Sequence, residues 1–120
     1  MNFIKKYLPQ VPVVFLALPM IFAGGAKLAG VPELHQSFGA MGLPEWFGYF
    51  IGLAELAAGI GLFIPRLSAL AATGLIPIMA GAAYFHIAYA VPSAVPALVF
   101  IALAGYAIWL RRKDAVWYPL

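Results

Sequence analysis

The sequence predicts an all-α fold: an integral membrane four-helix bundle with a short amphipathic helix in the first outer loop. Of its 120 residues, 65% are hydrophobic and only 9% are charged, whereas a soluble domain has about 45–50% apolar and ~25% charged residues. The apolar residues form stretches as long as a membrane-spanning helix needs, about 20 residues. The composition excludes a water-soluble domain, a disordered segment and a nucleic-acid-binding module. The length favours a single domain over residues 1–120.

Charge-free stretches place four spans along the chain. The first lies between Lys6 and Lys27, and the second is interrupted only by Glu55. The last stretch is long enough for two helices, and the segment from Pro92 to Pro96 divides it, because proline interrupts helices. The spans are therefore predicted at 11–28, 46–64, 67–90 and 94–110.

The N-terminal segment has some features of a signal peptide, since two lysines precede an apolar stretch and small residues follow it. This stretch is longer than a usual signal core, however, and it contains Pro19. We therefore expect a retained helix, with cleavage as the alternative.

The loop after the first span predicts the short amphipathic helix. Pro32 suits a first helical position. Leu34, Phe38 and Met41 recur at helical spacing among polar neighbours. Such a helix would lie on the outer membrane surface, and an irregular capping loop is the alternative. His35, in the same loop, is expected to face solvent or lipid headgroups.

The distribution of basic residues predicts the topology. With four spans, both termini lie on one side of the membrane. That side would carry six basic residues: Lys5, Lys6, Arg66, Arg111, Arg112 and Lys113. The opposite side would carry only Lys27. Because cytoplasmic loops are enriched in Lys and Arg, both termini are expected to be cytoplasmic.

Several kinds of chemistry are excluded by the residue types. The sequence contains no cysteine, which excludes disulfides and thiolate metal sites. Its histidines and acids do not show metal-ligand spacing, and neither a phosphate loop nor a nucleophile–base pair is recognisable. We therefore expect no metal and no covalent cofactor, and we name no catalytic residue.

Glu55 is the most informative residue, because it lies midway along the second span. A charge at that depth costs a few kcal/mol (~2.5–3.5 on insertion scales), so it should face protein rather than lipid. Glu55 shares one helical stripe with Gly48, Gly52 and Gly59. Small residues let neighbouring helices approach closely, so Glu55 is predicted to lie on the packed face of its helix.

Lys27 and His86 are predicted to lean toward the level of Glu55, because helical side chains tilt toward the helix N-terminus. Together they would form an outer-half pocket with Tyr84 and Tyr89 as aromatic walls. An acid and a base in apolar surroundings suit a lipid-soluble ligand with a polar head, such as a quinone. Structural alternatives stay open. Lys27 could extend to the interface, Glu55 could be protonated and bonded to backbone, and His86 could be a neutral interior histidine. A link between Lys27 and Glu55 could also be purely structural, and the tyrosines could be packing or interface aromatics.

Four segments carry a resemblance to a known family. They read FAGGAKL at 22–28, FGAMGLP at 38–44, GLAELAAG at 52–59 and LFIP at 62–65. Over roughly residues 15–66 the chain resembles the DoxX and DoxX-like family of small four-span membrane proteins. The resemblance implies an all-α membrane bundle. Lys27 and Glu55 occupy positions of the family's motif, whereas His86 lies outside it.

The resemblance also implies a loose functional association and does not fix an activity. We expect a bacterial-type inner-membrane protein. Some relatives are subunits of thiosulfate:quinone oxidoreductase, and others assemble with redox partners. Distant relatives, a cargo receptor and a receptor-assembly chaperone, are not enzymes. We therefore expect a membrane subunit of a quinone-linked redox system that binds a quinone or similar amphiphile. The alternative is a non-enzymatic scaffold or assembly factor for other membrane proteins. Participation in an enzyme and formation of a homo-oligomer stay open.

Overall fold

The computed structural model describes residues 2–89 and 93–118, and its regular secondary structure in these ranges is entirely helical. The elements are α1 (Asn2–Tyr7), a 3-10 turn (Leu8–Gln10), α2 (Val11–Leu28), α3 (Pro32–Ala40), α4 (Glu45–Gly61), α5 (Pro65–Ala88) and α6 (Val95–Leu110). The all-α prediction is therefore confirmed for the described residues. Pro92, which we expected to help divide the last two spans, lies outside them.

Helices α2, α4, α5 and α6 begin and end within three residues of the predicted spans. Two stretches, Phe3–Leu28 and Pro65–Ala88, are long and apolar enough to cross a membrane. Helices α4 and α6 have 17 and 16 residues, which is about 24–26 Å at a rise of ~1.5 Å per residue. That four helices cross a membrane stays a prediction.

Prolines and glycines account for several helix ends. Proline occupies one of the first two positions of α3, α5 and α6, where its missing N–H has no helical acceptor to lose. Gly30 and Gly42 follow α2 and α3 with φ values of 84° and 77°. Glycine adopts this conformation without the penalty of a side chain. The predicted loop helix therefore forms, with Pro32 at its start.

The helices pack as two close pairs, α2 with α4 and α5 with α6. In the first pair Gly24 lies opposite Gly52, and Ala17 lies opposite Gly59, so the two helices are antiparallel. The pairs share an apolar core to which α2, α5 and α6 contribute: Val13, Leu16, Ala17, Met20, Ala72, Leu75, Met79, Ala104 and Ala107, with Leu62 after α4. At the end that carries both described termini, the Tyr106 hydroxyl donates to the carbonyl of Pro9 at 2.7 Å.

Glycines bring the backbones of α2 and α4 into direct contact. Gly48, Gly52, Glu55 and Gly59 are all buried, as their shared stripe predicted. A Cβ atom on Gly24 would lie 2.5 Å from the carbonyl oxygen of Gly52, closer than real Cβ atoms approach. The α2–α4 pair is therefore held at a distance that only glycine permits at this point.

Candidate functional site

A cavity of about 530 Å³ lies between α3, α4 and α5. Near the turn that joins α4 to α5 these two helices are in contact, with Gly61 beside Ala71. Farther from that turn the cavity separates them. Its walls are mostly apolar, with Phe38, Phe47 and Phe85 among them. Six residues with polar side chains also line it: Lys27, Glu33, Ser37, Glu55, Tyr84 and His86.

Lys27 and Glu55 form an ion pair at the cavity. The Lys27 Nζ donates to Glu55 Oε1 at 2.7 Å, and the two side chains are only 13% and 4% exposed. The approach depends on a small residue on α4, because a Cβ atom on Gly52 would lie 2.7 Å from the Cβ of Lys27. Lys27 therefore pairs with the buried acid rather than extending to an interface, and burial strengthens the attraction between the two charges.

His86 lines the same cavity from α5. Its Nδ1 atom is buried and has no hydrogen-bond partner in the described ranges. Most buried polar atoms in proteins are paired, so this nitrogen is available to a ligand. The structure thus places His86 at one cavity with Lys27 and Glu55. Binding of a ligand by these residues stays a prediction.

The two predicted aromatic wall residues take different positions. Tyr84 lines the cavity and is 61% exposed, so it lies at an open edge. Tyr89 does not line the cavity, and its ring instead stacks on Phe85 with 5.0 Å between centroids. Tyr89 therefore reaches the site only through Phe85, which is itself a wall residue.

The expectation that His35 faces solvent or headgroups was wrong, because the residue is half-buried between α2 and α4. Its Nε2 donates to the carbonyl oxygen of Lys27 at 2.9 Å, and its ring lies 4.5 Å from that of Tyr49. The ring fills the space beside Gly48, where a Cβ atom would collide with it. His35 thereby links α3 to the C-terminal end of α2, which carries Lys27. The sequence feature that could have indicated this space for His35 is Gly48, which lies one turn before Gly52 on the same stripe of α4.

Replacing Gly48 by alanine is expected to displace the His35 ring and to loosen α3. Overpacking of this kind costs about 1–3 kcal/mol, and most of that loss should be local because α3 makes few contacts beyond α4 and α2. Hydrogen–deuterium exchange of the α3 amides measures it. Gly39→Ala is the matched control, because a Cβ atom there meets nothing within 4 Å. Unchanged exchange in α3 of Gly48→Ala would contradict the role assigned to His35.

Comparison with known proteins identifies one family. The model of the DoxX-like family matches residues 11–110 of the chain. The match contains α2 to α6, the ion pair and every residue that lines the cavity. Neither a curated protein nor a solved structure matches the chain.

Proposed function

Since the chain belongs to the DoxX-like family of membrane proteins, we propose that α2, α4, α5 and α6 span a bacterial-type inner membrane with both termini in the cytoplasm. Large apolar side chains on the outside of the bundle support this placement. Phe15, Phe22 and Ile87 are 67–80% exposed, which suits contact with lipid better than contact with water. Six basic residues support the orientation, because five lie near the termini and Arg66 lies in the α4–α5 connection at the same end of the bundle.

We propose that the cavity binds the polar head of a quinone or similar amphiphile, and that the protein is the membrane subunit of a quinone-linked redox system. The observation that carries this proposal is a mostly apolar cavity with an ion pair and an unpaired histidine nitrogen in its wall. Its volume lies in the usual range for small-molecule sites, about 300–1,000 Å³. Lys27 Nζ has hydrogens left to donate to a quinone carbonyl, and Glu55 holds it in position.

The chain supplies binding rather than electron transfer in this proposal. Oxidation or reduction of a quinone needs an electron donor or acceptor. A redox partner protein would supply that group. The protein is therefore proposed as one subunit of the system.

Binding of ubiquinone-1 to the purified protein in detergent, measured by isothermal titration calorimetry, tests the proposal. Gly81 lines the cavity and has open space at its Cβ position. Gly81→Leu should therefore fill the cavity without disturbing the helix and weaken binding by about tenfold or more, which corresponds to at least ~1.4 kcal/mol. Gly74→Leu is the matched control, because Gly74 lies two turns away on α5, also faces open space and does not line the cavity.

Saturable binding to the wild-type protein and to Gly74→Leu, with weak binding to Gly81→Leu, is the expected pattern. Glu55→Gln should also bind more weakly, because a neutral amide holds Lys27 less firmly. If neither the wild-type protein nor Glu55→Gln binds the quinone saturably, the ligand hypothesis is wrong. Equal affinities of the two glycine variants would place any binding outside this cavity.

A second candidate function is a non-enzymatic scaffold or assembly factor for other membrane proteins. The observation that favours it is the open space beside Gly74 and Gly105 on α5 and α6, since exposed small residues permit close helix–helix contact. Affinity capture in mild detergent separates the two functions. A stable membrane-protein partner that is lost in Gly74→Leu, with no bound quinone, would favour the scaffold.

A further inference from the structure

Five exposed basic side chains form a collar around one end of the bundle. The basic collar consists of Lys5, Lys6, Arg66, Arg112 and Lys113. Within the described ranges, none of the five has a carboxylate within 4.0 Å. Of the four acidic residues in the sequence, only Asp114 lies at this end, and it pairs with Arg111 at 3.3 Å. The collar therefore carries uncompensated positive charge.

Two hydrogen bonds join the N-terminal segment, which carries two collar residues, to the end of α6, which two others follow. An Arg111 guanidinium nitrogen (Nη2) donates to Gln10 Oε1 at 2.6 Å, next to the bond between Tyr106 and Pro9. Ala115, which follows α6, is only 2% exposed. The chain beyond α6 therefore turns back onto the bundle. The basic residues before Gln10 and those after Arg111 therefore belong to one surface rather than to two independent tails.

Aromatic side chains accompany the collar. The Lys6 ammonium lies 5.3 Å from the ring centroid of Tyr7, and the Arg112 guanidinium lies 4.9 Å from that of Trp109. Tyr7 and Trp109 are both about half exposed. Aromatic rings beside basic residues at the end of a transmembrane helix are typical of the headgroup level of a bilayer.

Helix α1 combines the same features in six residues. Phe3 is 72% exposed and Ile4 is 48% exposed, beside both N-terminal lysines. The stretch Phe3–Leu28 has 26 residues, about 39 Å at ~1.5 Å per residue, whereas the hydrocarbon core is about 30 Å thick. The first two turns therefore extend past the core, where apolar side chains meet the acyl boundary and lysines meet the headgroups.

We propose that the basic collar binds the headgroup phosphates of anionic phospholipids, with phosphatidylglycerol as the probe. This inference rests on the proposed placement of the bundle in a membrane and is independent of the quinone site. Charge complementarity selects the partner, because five cations without carboxylates face the level at which lipid phosphates lie. The exposed apolar side chains of α1 fit a lipid boundary. Each basic side chain near an anionic surface should strengthen the interaction roughly fivefold at low salt.

The three tryptophans of the chain allow a direct test. Trp109 and Trp117 lie beside the collar, and Trp46 lies at the start of α4, at the opposite end of the bundle. The protein would be reconstituted in phosphatidylcholine vesicles that contain either brominated phosphatidylglycerol or brominated phosphatidylcholine at the same mole fraction. Bromine quenches nearby tryptophan fluorescence. A Trp46→Phe variant reports on the collar, and a Trp109→Phe/Trp117→Phe variant reports on the other end.

Stronger quenching of the collar tryptophans by brominated phosphatidylglycerol than by brominated phosphatidylcholine is the expected result. The preference should fall about tenfold or more in Lys5→Gln/Lys6→Gln and should weaken in 0.5 M salt, since salt screens exposed charges. At Trp46 the two lipids should quench equally. The variant Glu33→Gln/Glu45→Gln removes two negative charges at the opposite end of the bundle and so raises the net charge of the protein. It should leave the lipid preference at the collar unchanged.

Three results would overturn the proposal. Equal quenching of the collar tryptophans by the two lipids would show that the collar has no anionic preference. The same preference at Trp46, or an increase in Glu33→Gln/Glu45→Gln, would assign the effect to net charge. Absence of quenching by either lipid would contradict both the proposed membrane placement and lipid binding by the collar. The calorimetric test of the quinone cavity is made in detergent and does not depend on this result.

Discussion

Lys27→Leu is expected to lower the free energy of unfolding by about 3–5 kcal/mol, the usual cost of removing one partner from a buried ion pair. Glu55 is 3% exposed and Lys27 is its only hydrogen-bond partner among the described side chains, so the variant leaves the acid buried without a donor. Leucine keeps the backbone carbonyl that His35 binds. The loss should therefore be specific to the ion pair, and thermal unfolding in detergent micelles measures it.

The partner substitution separates the ion pair from the packing. Glu55→Leu removes the buried acid and leaves Lys27 able to turn toward the cavity, so it should be better tolerated than Lys27→Leu. The double variant Lys27→Leu/Glu55→Leu should recover most of the stability lost in Lys27→Leu, because neither charge remains. Unchanged unfolding temperature and cellular accumulation of Lys27→Leu would show that the ion pair contributes nothing to stability.

Gly24→Ala is expected to be the most damaging small substitution in the bundle. The new methyl carbon would lie 2.5 Å from the Gly52 carbonyl oxygen and 2.5 Å from the Leu56 backbone nitrogen. Both are backbone atoms, so the helices themselves must move apart. Overpacking of a tight interface costs about 1–3 kcal/mol, and more when backbone has to shift. The unfolding temperature should fall, and the ion pair one turn farther along α2 should weaken with it.

The adjacent glycine supplies the control. A Cβ atom on Gly25 meets nothing within 4 Å, and alanine is favoured over glycine inside a helix by about 1 kcal/mol. Gly25→Ala should therefore leave stability unchanged or raise it slightly. Equal effects of Gly24→Ala and Gly25→Ala on the unfolding temperature would refute the close approach of α2 and α4.

Much of the fold follows from features that are local in the sequence. The helices lie where charge-free stretches and prolines place them, because apolar runs and proline positions act within a few residues. The packed stripe that contains Glu55 follows from helical periodicity. The contact of Lys27 with Glu55 follows from the depth of each residue along its helix and from the tilt of helical side chains.

The remaining features of the site depend on how separate helices are oriented. His35 appeared solvated because it belongs to a polar loop, yet its position is set by the rotation of α3 and by the gap beside Gly48. Tyr84 and Tyr89 are five residues apart, about 140° around a helix with ~3.6 residues per turn, so both could not easily face one cavity. The cavity itself results from the separation of α4 from α5, which no local pattern encodes.

The pairing of the helices divides the candidate site between two units. Lys27, Glu55 and His35 belong to a unit formed by α2, α3 and α4, whereas His86 belongs to the α5–α6 unit. Helices α4 and α5 contact each other much less extensively than the helices within each pair do. The short connection at 62–64 joins the two units. At the end that carries the described termini the two units share a core and are joined by hydrogen bonds, so they separate only around the cavity. A molecule that fills the cavity would therefore contact both units, one at the ion pair and the other at His86.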